Sequence, residues 1–327
     1  MNKTYGIILS IIIAAVSTII GKKFELIGTP IISIIIGILL NNFMTISQKF
    51  RPGIKFTSKY ILQASIVILG FTLNFHQVKA VGTSSFLVTI CTITVAFLGA
   101  FIIGRLLNVD KDLISLIGAG TAICGGSAIA AVSSIIDPDE HDLAYAMSTI
   151  FLFNVIAAII FPIIGHLMNM SNETFGLWAG TAINDTSSVV AAGYAYSKSA
   201  GDFATIVKLS RATMIIPVSL IFAAAKIMGE KSEKKPSKVN ISFSKIFPWF
   251  ILLFLIASII ETIFNFPAEI KGMFSETAKF MIAMALASVG LSADFKKMLN
   301  SGIKPILLGF YIWILVSVTS LIIQFFF

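Results

Sequence analysis

The chain has 327 residues, of which 57% are apolar and only 12% charged, and its mean hydropathy is +0.94. A soluble domain carries about 25% charged residues, so this composition excludes an ordinary globular enzyme, a disordered chain and a nucleic-acid binder. The formal charge of +8 on so few charged residues reads as a loop bias, which leaves an all-α polytopic membrane protein.

In chain order, about eleven apolar segments are read as transmembrane helices: 4–20, 26–42, 60–75, 84–107, 113–136, 143–168, 175–197, 203–228, 246–264, 276–292 and 303–327. Charged or turn-forming stretches separate most of them. The longest polar stretch, 229–240, is rich in Lys, Glu, Ser and Pro and reads as a flexible loop. The first segment resembles a signal peptide in having Lys3 before an apolar run, but no small-residue cleavage pattern follows Ile20, so it is kept as a helix. The chain is therefore expected to be one integral membrane domain, 1–327. Cys91 and Cys124 lie in apolar runs and imply no disulfide framework.

Counting Lys and Arg sets the expected orientation. With a cytoplasmic N-terminus, sixteen basic residues fall on inner segments and six, Lys22, Lys23, Lys79, Lys198, Lys271 and Lys279, on outer loops. The acidic loop 137–142 then falls outside, in agreement. Lys208 and Arg211 are left inside a span.

Two pairs of segments repeat. Leu69-Gly70-Phe71-Thr72-Leu73-Asn74-Phe75 resembles Val289-Gly290-Leu291-Ser292-Ala293-Asp294-Phe295. The copies lie an odd number of spans apart and so point oppositely, as inverted repeats do, with halves near 1–136 and 175–327. Chance similarity between Leu/Gly-rich helix ends is the alternative. The second pair is sharper: Gly120-Thr121-Ala122-Ile123-Cys124-Gly125-Gly126-Ser127 recurs as Gly180-Thr181-Ala182-Ile183-Asn184-Asp185-Thr186-Ser187. On the span count these two run in the same direction. Either the count is off there, or one of them is not a simple crossing.

These segments carry the chemistry. Glycine weakens a helix by about 1 kcal/mol relative to alanine, so Gly125 and Gly126 in mid-span predict a break. A break frees N–H groups at the start of a second half-helix, where Ser127 is a suitable cap and an anion's oxygens are attracted. Thr121 and Cys124 would line the same place. The competing reading is close helix packing by Gly118, Ala122, Gly126 and Ala130 at four-residue spacing.

The run Asn184, Asp185, Thr186, Ser187 and Ser188 is too polar for one packed face. An Asp at the bilayer centre costs about 2.5–3.5 kcal/mol, so Asp185 is expected in a cavity or paired, as a substrate or coupling-ion ligand. Thr186 and Ser187 suit the cap of another half-helix. A polar network that only ties helices together is the alternative. Asn154 in the sixth segment is a lesser candidate, equally read as a helix–helix hydrogen bond or as a ligand. Lys208 and Arg211, three residues apart, share a helix face and suit an oxyanion, since Arg holds two oxygens at once. Ion pairing with Asp185, or snorkelling of Lys208 to the interface, competes with that reading.

The paired segments 120–131 and 180–193, followed by Lys208-Leu209-Ser210-Arg211, resemble the YeiH-like family, whose name proposes sulfate export, over essentially the whole chain. That family is similar to the cation:proton antiporter and bile-acid symporter group. The resemblance implies inverted repeats, a core domain of broken helices, a scaffold domain that often dimerises, and elevator-like movement of the core. The expected function is a secondary transporter of a small sulfate- or sulfonate-like anion across the cytoplasmic membrane. Its expected site is Thr121, Cys124, Gly125, Gly126, Ser127, Asn184, Asp185, Thr186, Ser187, Ser188, Lys208 and Arg211, with Asp185 as the carrier of a coupling H+ or Na+. A sodium:proton antiporter using Asp185 and an anion channel are the alternatives. No metal or cofactor site is expected. No enzyme is expected either, because no ATP-binding loop or intramembrane protease motif occurs.

Overall fold

The computed structural model describes residues 3–21, 28–44, 46–233, 248–293 and 302–326, with the side chains of 229–233 excepted. Lys22, Lys23, Asp294, Phe295, Lys296, Lys297 and most of the polar loop 229–240 lie outside that set. The described residues form helices and the turns that join them, with no strand among them. We number the helices α1 (Thr4–Gly21), α2 (Gly28–Phe43), α3 (Arg51–Gly70), α4 (Phe75–Ser84), α5 (Phe86–Leu106), α6 (Lys111–Ala122), α7 (Gly126–Ile136), α8 (Glu140–Leu167), α9 (Asn172–Ala182), α10 (Thr186–Tyr196), α11 (Lys198–Ala212), α12 (Ile215–Glu233), α13 (Trp249–Phe264), α14 (Ala268–Ser292) and α15 (Ile303–Phe326).

Local chemistry sets the helix ends. Asn74, Ser171 and Ser197 cap α4, α9 and α11 by accepting a backbone N–H within each first turn. The four non-glycine residues of positive φ, Asn108, Asp137, Asn169 and Asn265, all sit at helix–helix turns. Asn and Asp tolerate the left-handed region that such turns need. The Leu69–Phe75 motif is one of these punctuations: α3 stops at Gly70 and the chain bends by 111° into α4.

Six stretches are long and apolar enough to cross a membrane: α1, α5, α8, Lys198–Met228 (α11 running into α12), α14 and α15, or seven if α3 and α4 are one bent span. Helices α2, α7 and α13 are apolar but shorter. Two of the eleven expected crossings, 113–136 and 175–197, are hairpins that enter and return. Glycine neighbours show this directly. A Cβ at Gly120 on α6 would lie 3.0 Å from Ile129 Cγ1 on α7. In a straight helix nine residues rise about 13 Å. Likewise Gly176 on α9 and Gly193 on α10 both abut the Ala200 carbonyl. Phe175 stacks on Tyr196 at 4.0 Å, and Ser197 donates to Asn172 Oδ1 at 2.7 Å.

This corrects the span count and explains the parallel repeat. With α8, a candidate span, between them, the two hairpins start from opposite ends of that helix, so their matching sequences run in opposite directions. The Lys/Arg bias is unchanged, because the two loops that switch sides, 137–142 and 168–171, carry neither residue. Under the expected orientation the acidic loop would then fall on the inner side, so it no longer supports that orientation.

The helices pack as two groups. One contains α1, α2, α3, α13 and α14; the other contains α5, both hairpins, α8, α11 and α15. The first group is held by backbone contact at glycine: Gly37 and Gly290 bring α2 onto α14, and Gly70 brings α3 onto the Phe254 carbonyl of α13. The two copies of the Leu-Gly motif thus make reciprocal contacts, each glycine packing on the helix that precedes the other copy. Ser10 and Ser288 add a hydrogen bond of 2.7 Å between α1 and α14.

One ion pair is sunk in this group. Lys271 of α14 meets Glu261 of α13, whose side chain is only 2% exposed. Removing the lysine strands a buried carboxylate. Lys271→Met is expected to lower stability by about 2–3 kcal/mol, below the range for a fully buried pair because the lysine is partly exposed. Glu261→Gln together with Lys271→Met is expected to recover much of the loss in a thermal melt.

Candidate functional site

Both hairpins break at the aligned Gly-Thr-Ala-Ile segments. In the first, α6 ends at Ala122, and Gly125 turns the chain with φ +66° before α7 begins. Only glycine adopts that conformation without strain. In the second, Ile183 and Asp185 are extended between α9 and α10. The two tips touch: a Cβ at Gly125 would lie 3.4 Å from Asp185 Cβ. Asn154 of α8 sits against both, accepting from the Asp185 N–H at 3.1 Å and lying 3.6 Å from the Gly125 Cβ position. Sequence reading treated Asn154 as a minor candidate, since a lone mid-helix Asn is as often a helix–helix bond.

Several expected roles change. The cap of α10 is Asp185, whose Oδ2 accepts from the Ser187 N–H at 3.0 Å and from the Ser187 hydroxyl, so neither Thr186 nor Ser187 is the cap. Ser127 does not cap α7: the capping position is Gly125, and Ser127 is exposed. The small-residue stripe also dissolves. Gly118 and Gly126 lie on opposite arms of a hairpin, where Gly118 meets Ala100 and Gly126 meets Met147. Asn184, Ser187, Ser188, Thr121 and Cys124 are buried, while Gly126, Asp185 and Thr186 are half-buried.

The two cations do something the sequence did not reveal. Lys208 and Arg211 are both 0% exposed, so Lys208 does not snorkel. Lys208 Nζ donates to the Ile123 carbonyl at 2.8 Å and to the Ile183 carbonyl at 2.9 Å, one from each tip. Arg211 donates from Nε to the Ala122 carbonyl at 2.7 Å and from Nη2 to the Thr121 carbonyl at 2.9 Å. These carbonyls are the negative ends of α6 and α9, which have lost their intrahelical donors. The competing reading, an ion pair of these cations with Asp185, is not among the described ion pairs. Arg211 Nη1, Asn184 Oδ1 and Thr121 Oγ1 are buried with no hydrogen-bond partner among the described residues.

The arrangement therefore has two layers. On one side, cations on α11 neutralise the negative half-helix ends. On the other, the positive end of α7 carries no side-chain cap and lies at half-buried Gly126 and exposed Ser127, while that of α10 is capped by Asp185 beside half-buried Thr186. By formal count, two buried basic side chains stand against one half-buried carboxylate at the tips.

Comparison with known proteins places the chain. The family described as "Conserved hypothetical protein 698" matches residues 5–309. A UPF0324 membrane protein of Clostridium tetani is 44% identical, over 98% of this chain and 96% of that protein. One from Fusobacterium nucleatum is 42% identical over 99% and 98%, and one from Streptococcus agalactiae 41% identical over 99% and 97%. With its apolar helices and these relatives, the chain is a multi-pass membrane protein that belongs to the UPF0324, or conserved hypothetical 698, family.

Proposed function

We propose that this protein is a secondary transporter of a small oxyanion, sulfate- or sulfonate-like, across the cytoplasmic membrane, and not an enzyme. The observation that carries the reading is the meeting of two oppositely inserted hairpin tips around two buried cations and a single carboxylate. Broken helices at mid-membrane are tolerated where they are packed in protein or line a cavity. The N-terminus of α7, which has no side-chain cap, attracts anions, and the formal surplus of basic over acidic groups favours the same sign. The YeiH-like resemblance points to the same cargo.

The transport mechanism follows from the two helix groups. The hairpins, α5, α8, α11 and α15 form the moving core, and the glycine-packed group of α1, α2, α3, α13 and α14 forms the scaffold and the dimerising face. The N-terminus is cytoplasmic by the Lys/Arg bias. An interior-negative potential drives a monovalent anion outward with about 2.3 kcal/mol per 100 mV, so export needs no coupling ion; Asp185 would carry one for uptake.

Proteoliposomes with labelled sulfate or taurine test the reading. Flux is expected to saturate, which separates a carrier from a channel. Ser127→Ala and Thr186→Val are each expected to raise the half-saturating concentration roughly tenfold, about 1.4 kcal/mol of lost hydrogen bonding, with the melting temperature unchanged because neither side chain is fully buried. Sodium-driven proton movement with no anion flux would replace this reading by the antiporter one.

A further inference from the structure

The Lys208 ammonium lies where two hairpins present the same ligand. Ile123 is the C-cap of α6 and Ile183 that of α9, and their carbonyls approach one nitrogen at 2.8 and 2.9 Å. Both carbonyls sit at chain breaks, and both mark the negative end of a half-helix. Unwound carbonyls and half-helix C-termini are the donor set that coordinates sodium in membrane carriers. Here a monovalent cation already stands between them, supplied by a third helix and fully enclosed. The other titratable groups around it are Arg211 on its own helix, Cys124 in the first tip and Asp185 in the second.

We propose that the two hairpin tips form a monovalent-cation site and that Lys208 is its permanent, covalently tethered occupant. Lysine suits the task, being a compact point charge with three donors, whereas the planar fork of arginine spans neighbouring carbonyls of one helix end. Arg211 does the latter on Thr121 and Ala122 of the first hairpin alone. Tethering keeps the two tips joined without a dissolved ion, so assembly of the site is independent of sodium. The inference goes beyond the anion reading and rests on the tip geometry.

The test compares melting temperatures of the purified full-length protein in sodium, potassium and choline chloride at equal ionic strength. Wild-type protein is expected to melt at one temperature in all three salts. Lys208→Ala opens the site and is expected to melt roughly 10 °C lower in choline, with at least half of the loss recovered, saturably, in sodium or potassium. Lys208→Met fills the space with an apolar chain and is expected to show the loss without recovery. A wild-type melt that rises with sodium overturns the proposal, and that measurement stands even where neither variant can be purified. So does a Lys208→Ala melt equal to wild type in choline, or a deficit that no monovalent cation reduces. None of these readouts involves an anionic cargo, so a failure of sulfate flux and a failure of the cation site are separate results.

Discussion

Arg211→Ala is expected to reduce anion flux by at least about 100-fold and to destabilise the protein by about 3–5 kcal/mol. The side chain is enclosed, and it answers two carbonyls at the end of α6, Ala122 at 2.7 Å and Thr121 at 2.9 Å. Its loss leaves a cavity and two buried acceptors without donors. It also removes one of the two positive charges that set the sign of the tip region, and with it Nη1, a buried donor that no described residue engages. Arg211→Lys keeps the charge and loses the fork. It is therefore expected to fall between wild type and the alanine variant in both flux and melting temperature. Sulfate is expected to raise the wild-type melting temperature, and to raise that of Arg211→Lys by less. Unchanged flux in Arg211→Ala would remove this residue from the site.

The second large effect lies outside the site. A Cβ at Gly290 would sit 2.3 Å from the Ile34 carbonyl, and one at Gly37 would sit 2.4 Å from the Ala287 carbonyl. Both obstructions are backbone, so α2 and α14 must separate along their whole contact to admit a methyl group. Gly290→Ala or Gly37→Ala is expected to cost about 2–3 kcal/mol, at the upper part of the range for overpacking. The double variant is expected to cost clearly less than the two together, because helices already parted by one methyl admit the second at little further expense. Chemical or thermal unfolding of the three variants measures this. Strict additivity would show that the two glycines do not share one seam. Surviving Gly37→Ala protein is expected to retain its half-saturating anion concentration, since the seam belongs to the helix group that carries no hairpin.

Much of the site was legible before any fold was known. Gly125 and Gly126 announce a break, because a helix in lipid has no reason to carry paired glycines in mid-span. Asn184 to Ser188 announce another, because five consecutive polar residues cannot share one packed face. Lys208 and Arg211 stand out as cations inside an apolar run. Asn154 was only a lesser candidate: a lone Asn gives the same signal whether it bonds a neighbouring helix or, as here, touches two chain breaks at once.

The direction of each broken segment was not legible either. Hydropathy is blind to whether a chain continues or returns, since both paths bury the same apolar side chains. The parity conflict between the repeats was the one trace of it. Capping roles were also misassigned by a residue or two. Asp, Thr and Ser are all good caps, and only the extended backbone at Asp185 selects among them.

The sequence by itself determined that this is a helical protein of the membrane, that its chain breaks fall at two Gly-Thr-Ala-Ile segments, and that charged groups accompany those breaks. Composition and the conformational limits of glycine are local properties, and they suffice for that. Only the tertiary structure decided that the breaks are hairpin tips, that they touch, and that Lys208 and Arg211 spend their donors on backbone carbonyls. Those outcomes depend on residues separated by as many as 90 positions meeting in space, where the negative ends of half-helices had to be neutralised once no water remained to do so.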